Sequence, residues 1–297
     1  MKYSVLTSVY KNDNPAFVRE AIKSISVYQT LPPSEIVLVV DGPVGEDINN
    51  VLNELKSKIP YLNVIRLDKN MGLGKALNVG LSHTKYEFVA RMDSDDIAVP
   101  DRCKKQIEYL RFNKEIAIVG GQITEFIGNE SDIVGKRIVP CDSHNIEKYI
   151  QSRCPFNHMT IMARKSKILE AGNYQELHFN EDYYLWIRMF ENGCQFANLP
   201  DTLVNVRVGK EMYARRGGWK YFKSEKWLQD YMLKKHIIGL PRQLLRIPPD
   251  ITGNSVFLPQ ADGINIFIYL TVTDEDYIMI CRLTPVCLSR FRLPPAA

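Results

Sequence analysis

The chain has 297 residues, of which 45% are hydrophobic and 24% are charged, as expected of a soluble globular protein with one large domain or a domain plus an appendage. The net charge of +4 is not concentrated in a basic run, which argues against nucleic-acid binding. No apolar stretch reaches the roughly 18 to 20 residues of a membrane span, so none is expected.

The cysteines show no CxxC spacing and no zinc-like pairing with histidine. In a chain of this length such scattered cysteines are typical of reduced thiols in a cytoplasmic protein. The first residues start a strand pattern without a signal-peptide core, which favours the same location and leaves room for peripheral contact with the inner face of the cell membrane. The six cysteines are Cys103, Cys141, Cys154, Cys194, Cys281 and Cys287.

Strand and helix patterns alternate through the first 120 residues. Strands are predicted at 3–10, 35–42, 63–68, 86–93 and 116–121, and helices at 14–30, 46–59, 72–84 and 100–113. Asn14 and Pro15 form an N-cap and first-turn proline pair. The 35–42 strand is almost wholly apolar, which indicates helices on both faces of a parallel sheet. This rhythm predicts an open α/β sheet built by right-handed crossovers.

The pattern changes after Gly121. Asn180 is predicted to cap a helix that Gly193 ends, and the prolines after about residue 245 exclude a long helix there. Further strands are predicted at 122–128, 132–140, 158–165 and 196–209, helices at 144–153, 180–193 and 217–239, and a hairpin from 264–272 and 277–284.

Three aspartates follow the predicted 86–93 strand. In an extended backbone Asp93 and Asp95 share one face, while Ser94 and Asp96 point to the other. Converging carboxylates repel each other unless a cation or a proton lies between them, and oxygen ligands without nitrogen or sulfur favour Mg²⁺ or Mn²⁺. The alternative is a solvated turn in which Asp96 or Asp101 caps the next helix.

Two further segments end at the same predicted edge of the sheet, where ligands bind in open α/β folds. Asp41 could accept from ribose hydroxyls or a base N–H, or could simply start a turn. In 70–80, Gly72 and Gly74 could let a backbone approach phosphate, with Lys75 and a helix N-terminus supplying positive charge. Alternatively, the glycines only shape the loop.

Five blocks of sequence, SVLTSVYKN, VLVVDG, NxGxxxAxNxG, ARMDSDD and NEDYYLWIR, follow one another in an order and spacing that resemble the family 2 glycosyltransferases. The similarity is greatest to bacterial enzymes that build exopolysaccharide, capsule or lipopolysaccharide. The resemblance implies a GT-A fold over 1–240, with a nucleotide-binding half (1–121) and an acceptor half (122–240). Residues 241–297 depart from that group and form a C-terminal extension without an assigned role.

The resemblance also implies a hexosyltransferase that inverts the anomeric carbon, a nucleotide-diphosphate sugar donor, a saccharide or lipid-linked acceptor and bound Mn²⁺ or Mg²⁺. Asp182 would be the catalytic base, ionised at pH 7 because the helix dipole favours an anion. Asp93 would lie near ribose or metal, and Asp95 would ligate the metal directly. The donor-binding residues would be Ser8, Tyr10, Asp41, Asn70, Gly72, Lys75, Asp93, Ser94, Arg215 and Arg216. Acids in a first helical turn are also stabilising without any catalytic role.

Three other features have two interpretations each. His158 and Glu181 could contact the acceptor, but His158 could equally be held by a structural hydrogen bond and Glu181 could orient its neighbours. Arg215 and Arg216 could close over a diphosphate or form a solvated basic turn. The basic aromatic helix at 217–239 could rest on an anionic membrane, or pack its aromatic side chains on the core.

Two other functions remain open at this point. A sugar-phosphate nucleotidyltransferase would also use an α/β sheet and Mg²⁺, but the segment TSVYKNDNP has no glycine-rich loop. A non-catalytic nucleotide-sugar binding module would not need Asp182.

Overall fold

The computed structural model describes residues 1–209 and 219–239, and the backbone of three strands in the C-terminal extension. These strands are β10 (Val256–Leu258), β11 (Ile264–Val272) and β12 (Tyr277–Pro285). β11 pairs antiparallel with β12, which is the predicted hairpin, and β10 pairs antiparallel with β11.

The remaining strands form one sheet. They are β1 (Tyr3–Val9), β2 (Glu35–Val40), β3 (Leu62–Arg66), β4 (Phe88–Arg91), β5 (Ile97–Ala98), β6 (Ile116–Phe126), β7 (Ile133–Arg137), β8 (Met162–Arg164) and β9 (Gln195–Arg207). Their order is β3-β2-β1-β4-β8-β6-β9-β5, with β7 beside β6. Six of the nine run in one direction, because β5, β7 and β8 alone are antiparallel to their neighbours. The sheet is therefore mostly parallel, as predicted.

The described helices are α1 (Pro15–Ser24), α2 (Glu46–Lys58), α3 (Leu73–His83), α4 (Arg102–Phe112), α5 (Ser143–Tyr149), α6 (Lys165–Glu170), α7 (Glu181–Glu191) and α8 (Trp219–Lys234). The side chain of Asn14 accepts from the backbone N–H groups of Ala16 and Phe17, which confirms the predicted cap of α1. Within the described segments, no helix is long and apolar enough to cross a membrane.

Side chains of β2 alternate between two cores, one on each face of the sheet. Ile36 and Leu38 pack with residues of α1, α2 and α4, whereas Val37 and Val39 pack with residues of α3, α5 and α7. Both faces are covered by helices, which is why this strand is apolar at every position.

Two predictions on the segments after residue 115 are wrong. The segments 116–121 and 122–128 form one strand, because Gly120 and Gly121 allow close packing instead of a turn: a Cβ at Gly120 would lie 2.3 Å from Asn198 Oδ1. The strand predicted from His158 begins only at Met162, after a 3₁₀ turn in which Thr160 Oγ1 donates to Asn157 O at 2.7 Å. Such a local bond competes with strand pairing.

The sheet also differs from a simple alternation of strand and helix. β6 is not the neighbour of β4, because β8 from much later in the chain inserts antiparallel between them. The division at 121/122 falls inside β6, so the two predicted halves share a strand. The carboxyl ends of β1, β2 and β4 lie at one edge, which brings together the segments after Val9, Val40 and Arg91.

Candidate active site

The three aspartates after β4 have different environments. Asp93 is half-buried and forms an ion pair with Nη2 of Arg91, while Asp95 is exposed. Ser94 and Asp96 are buried: Ser94 Oγ donates to Asp13 Oδ2 at 2.9 Å, and Asp96 Oδ1 accepts from the N–H of Arg207 at 3.0 Å. The exposure alternates as predicted, although the backbone has left the strand and bends at Ser94.

Asp101 occupies the N-cap position of α4, but its side chain makes no capping hydrogen bond, and Asp96 instead binds the backbone of Arg207. Capping by either side chain is therefore not seen, and the solvated turn itself stays an alternative.

Residues 93–96, called the acidic turn below, bring carboxylates that repel one another close together. Although the side chain of Asp95 reaches solvent, the protein around it displaces part of its water, and this desolvation, followed by the charges of Asp93 and Asp13, raises the pKa of Asp95 to about 6. Burial, Asp93 and Asp95 raise the pKa of Asp96 well above its usual range. A dication would relieve this repulsion, and the donors are carboxylate oxygens, which fit Mg²⁺ or Mn²⁺.

The protein would supply few of the metal ligands. Among the described residues, no group of three or more histidine, cysteine, aspartate or glutamate side chains is arranged to hold a metal ion. Mg²⁺ is commonly bound by one or two carboxylates together with substrate phosphates. Asp93 and Asp95 fit that arrangement.

Arg91 is a buried cation next to these carboxylates. Its side chain is 3% exposed, and its Nε and Nη1 atoms have no hydrogen-bond partner in the structure. Burial acts to lower the pKa of Arg91, but Asp93, Tyr174 and Asp96 outweigh that effect and raise it. Arg91 also lowers the pKa values of Glu181 and Asp182, so its charge acts on both groups of acids.

Asp41 organises the loop before α3. Its carboxylate accepts from the N–H of Met71 at 2.6 Å and from the N–H of Gly72 at 3.0 Å. Asn70 Nδ2 donates to the carbonyl of Asp41 at 3.2 Å. Gly42 has a φ of 84°, and a Cβ there would lie 2.4 Å from the nitrogen of Asn70, so only glycine fits. The expected contact between Asp41 and the nucleoside stays a prediction.

The start of α3 adjoins the start of α7. No side chain caps α3 at Gly72, whose φ is 88°. A Cβ at Gly74 would lie 3.1 Å from Glu181 Cβ, so this glycine allows the two helices to approach. Lys75, expected to provide charge for phosphate, forms a 2.7 Å ion pair with the exposed Glu176. Such an exposed pair is weak and would yield to an incoming anion at little cost.

Glu181 and Asp182 occupy the first turn of α7. The Asp182 carboxylate accepts from the N–H of Tyr183 at 2.7 Å, and Cys154 Sγ lies 3.6 Å from its Oδ2. Burial raises the pKa of Asp182 in spite of the helix N-terminus, so the helix dipole is not the dominant effect. Burial and the charge of Asp182 raise the pKa of Glu181 to about 7. A carboxylate with a raised pKa is a stronger base, which suits proton abstraction.

Asn180 occupies the N-cap position of α7, as predicted, but its side chain makes no capping hydrogen bond. Its Nδ2 instead donates to Ser224 Oγ on α8 at 3.2 Å, and that hydroxyl donates to the carbonyl of His178 at 2.7 Å. Phe179, between His178 and Asn180, has a φ of 59°, which is a strained conformation for an aromatic residue. Ser224 therefore holds the segment that leads into Glu181 and Asp182.

His158 is held within the protein. Its Nε2 lies 3.1 Å from the hydroxyl of Tyr174, and burial together with Arg91 lowers its pKa well below the usual value. This supports the structural interpretation of His158 as a neutral side chain; its contact with an acceptor stays a prediction.

Sequence reasoning missed two residues that build the acidic turn. Asp13 accepts from the N–H of Tyr10 at 3.1 Å and from Ser94 Oγ at 2.9 Å, and so links Tyr10, a predicted nucleobase residue, to the acidic turn. Arg207 donates through Nε to the carbonyl of Asp95 at 3.3 Å. The only local signal for Asp13 is the loop sequence KNDNP, and Arg207 is far away in sequence.

Arg215 and Arg216 lie outside the described residues. On α8, Leu228 and Met232 are buried, while Trp219 is 67% exposed and Trp227 is 46% exposed. The prediction that the aromatic side chains of this helix pack on the core is therefore wrong for Trp219, whereas the ring of Trp227 packs edge-on against Tyr184 of α7 with 5.0 Å between ring centroids.

The four cysteines Cys103, Cys141, Cys154 and Cys194 are free, as expected. Cys281 and Cys287 fall where the structure describes at most the backbone.

Comparison with known proteins identifies relatives over most of the chain. The chain is 49% identical over 225 residues to an uncharacterized glycosyltransferase of Haemophilus influenzae, covering 76% of this chain and 83% of that protein. It is 42% identical to the amylovoran biosynthesis glycosyltransferase AmsE of Erwinia amylovora (78% and 85% covered). It is 36% identical to the UDP-Gal:alpha-D-GlcNAc-diphosphoundecaprenol beta-1,3-galactosyltransferase of Escherichia coli (83% and 88% covered).

Solved structures share the fold. S. aureus TarS 1-349 in complex with UDP-GlcNAc superposes with a TM-score of 0.60 at 20% identity, covering 80% of this chain and 69% of that one. The chain spans 41% of a longer TarS chain. The mannosyltransferase PcManGT of Pyrobaculum calidifontis, in complex with GDP-Man and Mn²⁺, gives a TM-score of 0.59 at 16% identity, with 84% and 66% covered. The expected GT-A fold is confirmed.

The sequence model described as Glycosyl transferase family 2 matches residues 4–172, more than half of the chain. With this match, the relatives above and the shared fold, the chain belongs to glycosyl transferase family 2.

Proposed function

We propose that this protein is a metal-dependent, inverting hexosyltransferase that moves a sugar from a nucleotide-diphosphate donor, with UDP as the expected nucleotide, to a saccharide or lipid-linked acceptor in bacterial surface polysaccharide synthesis. Relatives that act in amylovoran synthesis and on a diphosphoundecaprenol-linked sugar support the pathway and the acceptor class. The donors bound to structural neighbours, UDP-GlcNAc and GDP-Man, support the donor class.

One observation carries the proposal: two sets of carboxylates on separate elements act on the same buried cation. Asp95 follows β4 and Asp182 begins α7; Arg91, which is ion-paired with Asp93, favours the ionised form of each, although burial keeps the pKa of both above its ordinary value. One set suits a donor diphosphate with its metal, and the other suits a base. A single displacement needs both functions, because the leaving group must be stabilised while the acceptor hydroxyl loses its proton.

Each residue of the proposed site would have its own role in the reaction. Ser8 and Tyr10 would border the nucleobase, and Asp41 would contact the nucleoside while holding the 70–72 loop near the phosphates. A dication held by Asp93 and Asp95 would stabilise charge on the departing diphosphate. Asp182 would accept the proton of the acceptor hydroxyl. Arg215 and Arg216 would pair with the diphosphate.

The domain limits belong to this proposal too. Residues 1–121 would bind the nucleotide, 122–240 would bind the acceptor, and 241–297 would be an appendage to this transferase domain. Membership of family 2 sets aside the nucleotidyltransferase alternative.

A cytoplasmic location with peripheral membrane contact would suit a lipid-linked acceptor. The support is on α8, where exposed Trp219 and Trp227 accompany exposed lysines at Lys220, Lys223 and Lys226. Exposed tryptophan combined with lysine favours the surface of an anionic membrane.

Asp182→Asn tests the base. We expect loss of sugar transfer with UDP affinity by calorimetry within about twofold of wild type, because the amide keeps the shape but cannot take a proton. Asp47→Asn is the matched control: Asp47 is also the second residue of a helix that begins Glu-Asp, but it is exposed. Wild-type turnover in Asp182→Asn would remove Asp182 from this role and favour a search for another base.

Asp95→Ala tests the metal site. We expect UDP binding to lose most of its dependence on Mn²⁺, with exposed Asp101→Ala as the control that keeps it. Unchanged metal dependence in Asp95→Ala would contradict the assignment. Thermal-shift screening of UDP-, GDP- and dTDP-sugars with Mn²⁺ then identifies the donor.

A further inference from the structure

The thiol of Cys154 lies between two oxygen acceptors. Its Sγ is 3.6 Å from Asp182 Oδ2 and 3.5 Å from the carbonyl oxygen of Phe156. A thiol has one proton, so it can donate to only one of these oxygens at a time. Burial, followed by the charge of Asp182, raises the pKa of this thiol well above its ordinary value, so the sulfur keeps its proton and remains a donor.

The backbone around Cys154 is fixed independently of Asp182. Arg137 Nη2 donates to the carbonyl of Cys154 at 3.1 Å, and Asn198 Nδ2 donates to the carbonyl of Pro155 at 3.1 Å. On the other side, the N–H of Tyr183 holds the second oxygen of Asp182 at 2.7 Å. Both carboxylate oxygens of Asp182 therefore have a partner: Oδ1 accepts from the N–H of Tyr183 on α7, and Oδ2 faces the thiol of Cys154.

Other charged and titratable groups also face Asp182. Arg137 and Arg91 lower its pKa, Glu181 is its neighbour on α7, and the hydroxyl of Tyr174 is near enough to feel its charge. Both guanidinium groups favour the ionised carboxylate whatever its rotamer, because charge interactions depend weakly on direction. Among the contacts that the structure gives to Oδ2, the thiol is the one that depends on direction.

We propose that Cys154 is a positioning residue for the base: its S–H donates to Asp182 Oδ2 in the ionised state and turns to the carbonyl of Phe156 when Asp182 takes the acceptor proton. The proposal rests on the function proposed for Asp182. No proton leaves the sulfur, and no bond to it forms or breaks. A thiol is a weak donor, so it orients the carboxylate without strongly reducing its basicity.

The pH dependence of kcat/KM for the acceptor tests this role. Cys154→Ala removes a donor to the ionised base, so we expect the acidic limb of the profile to move to higher pH. We also expect kcat to fall about 3- to 10-fold while KM for the donor stays within about twofold. Cys154→Ser keeps a donor and should return the limb toward its wild-type position. Cys194→Ser, at the far end of α7, is the control.

A profile for Cys154→Ala that matches wild type would overturn the proposal. So would equal shifts in the alanine and serine variants, because a merely structural defect does not distinguish a donor from a methyl group.

A second measurement does not depend on turnover. The carboxylate of Asp182 disfavours the thiolate of Cys154, so Asp182→Asn should speed the alkylation of Cys154 by iodoacetamide several-fold at pH 8. Peptide mass spectrometry follows Cys154 and Cys194 in the same sample, and Cys194 should not change. An unchanged Cys154 rate would show that the two side chains do not interact. If instead Asp182→Asn keeps full transfer activity, the proposed base is wrong, whatever the alkylation result.

Discussion

Replacing Asp41 by asparagine should destabilise the protein by an amount that follows from two hydrogen bonds. The buried carboxylate accepts from the N–H groups of Met71 and Gly72, at 2.6 and 3.0 Å. Each charge-assisted bond contributes about 1.5 to 3 kcal/mol. Asparagine has one acceptor oxygen, so one bond becomes neutral and the amide NH₂ faces the other N–H as a second donor. The expected loss is about 3 to 5 kcal/mol.

Urea unfolding followed by circular dichroism measures this loss, with Asp68→Asn as the matched control. Asp68 is exposed in the segment leading into the same loop, so that variant should lie within about 0.5 kcal/mol of wild type. The loop also positions the start of α3, so Asp41→Asn should weaken UDP binding even under conditions in which it is fully folded. A free energy of unfolding for Asp41→Asn equal to that of Asp68→Asn would refute the assigned role.

Two further variants test the first turn of α7. Ser224→Ala leaves the His178 carbonyl and the Asn180 amide without their shared partner, so it should lower the free energy of unfolding by about 1 to 3 kcal/mol. It should also reduce kcat, because Phe179 can then relax from its strained conformation. An unchanged kcat would show that the strained segment does not position the base. Glu181→Gln should raise Tm by more at pH 8 than at pH 5, with EDTA present so that no metal contributes. The folded pKa of Glu181, about 7, is above its ordinary 4.5, so the favourable contribution of the protonated acid is complete below pH 4.5 and is lost as pH rises through 7. An equal gain in Tm at both values of pH would contradict the raised pKa.

Local patterns were sufficient to predict most of the strands and helices and the alternating exposure of residues 93–96. The continuous apolar run of β2 indicated burial on both faces, and Asn14 with Pro15 marked the start of α1, as the structure confirms. The alternation of side-chain direction in an extended backbone predicted that Asp93 and Asp95 share a face opposite to Ser94 and Asp96, and both are more exposed than those two residues. These inferences succeed because the direction of a side chain in a strand or helix, and the capping of a helix, depend only on residues a few positions apart in the sequence.

The failures share a physical cause. Asn180 lies at the N-cap position as expected, but its side chain bonds to Ser224 on α8, 44 positions later, and not to the first turn of α7. The helix dipole suggested an ordinary, ionised Asp182, but burial raises its pKa, and burial depends on what the rest of the chain places around it. Gly120 and Gly121 resemble a turn until β9 is seen packed against them.

Sequence patterns alone were enough to predict most strands and helices of the first 120 residues, the acidic character of the segment after β4 and the family resemblance. Tertiary structure alone decided that β8 lies between β4 and β6, that Arg207 reaches the acidic turn across 111 positions, and that Cys154 meets Asp182. Hydrophobic periodicity and secondary-structure propensity act over a few neighbouring residues. These contacts instead arise when distant segments pack together, and no local pattern encodes which segments will meet.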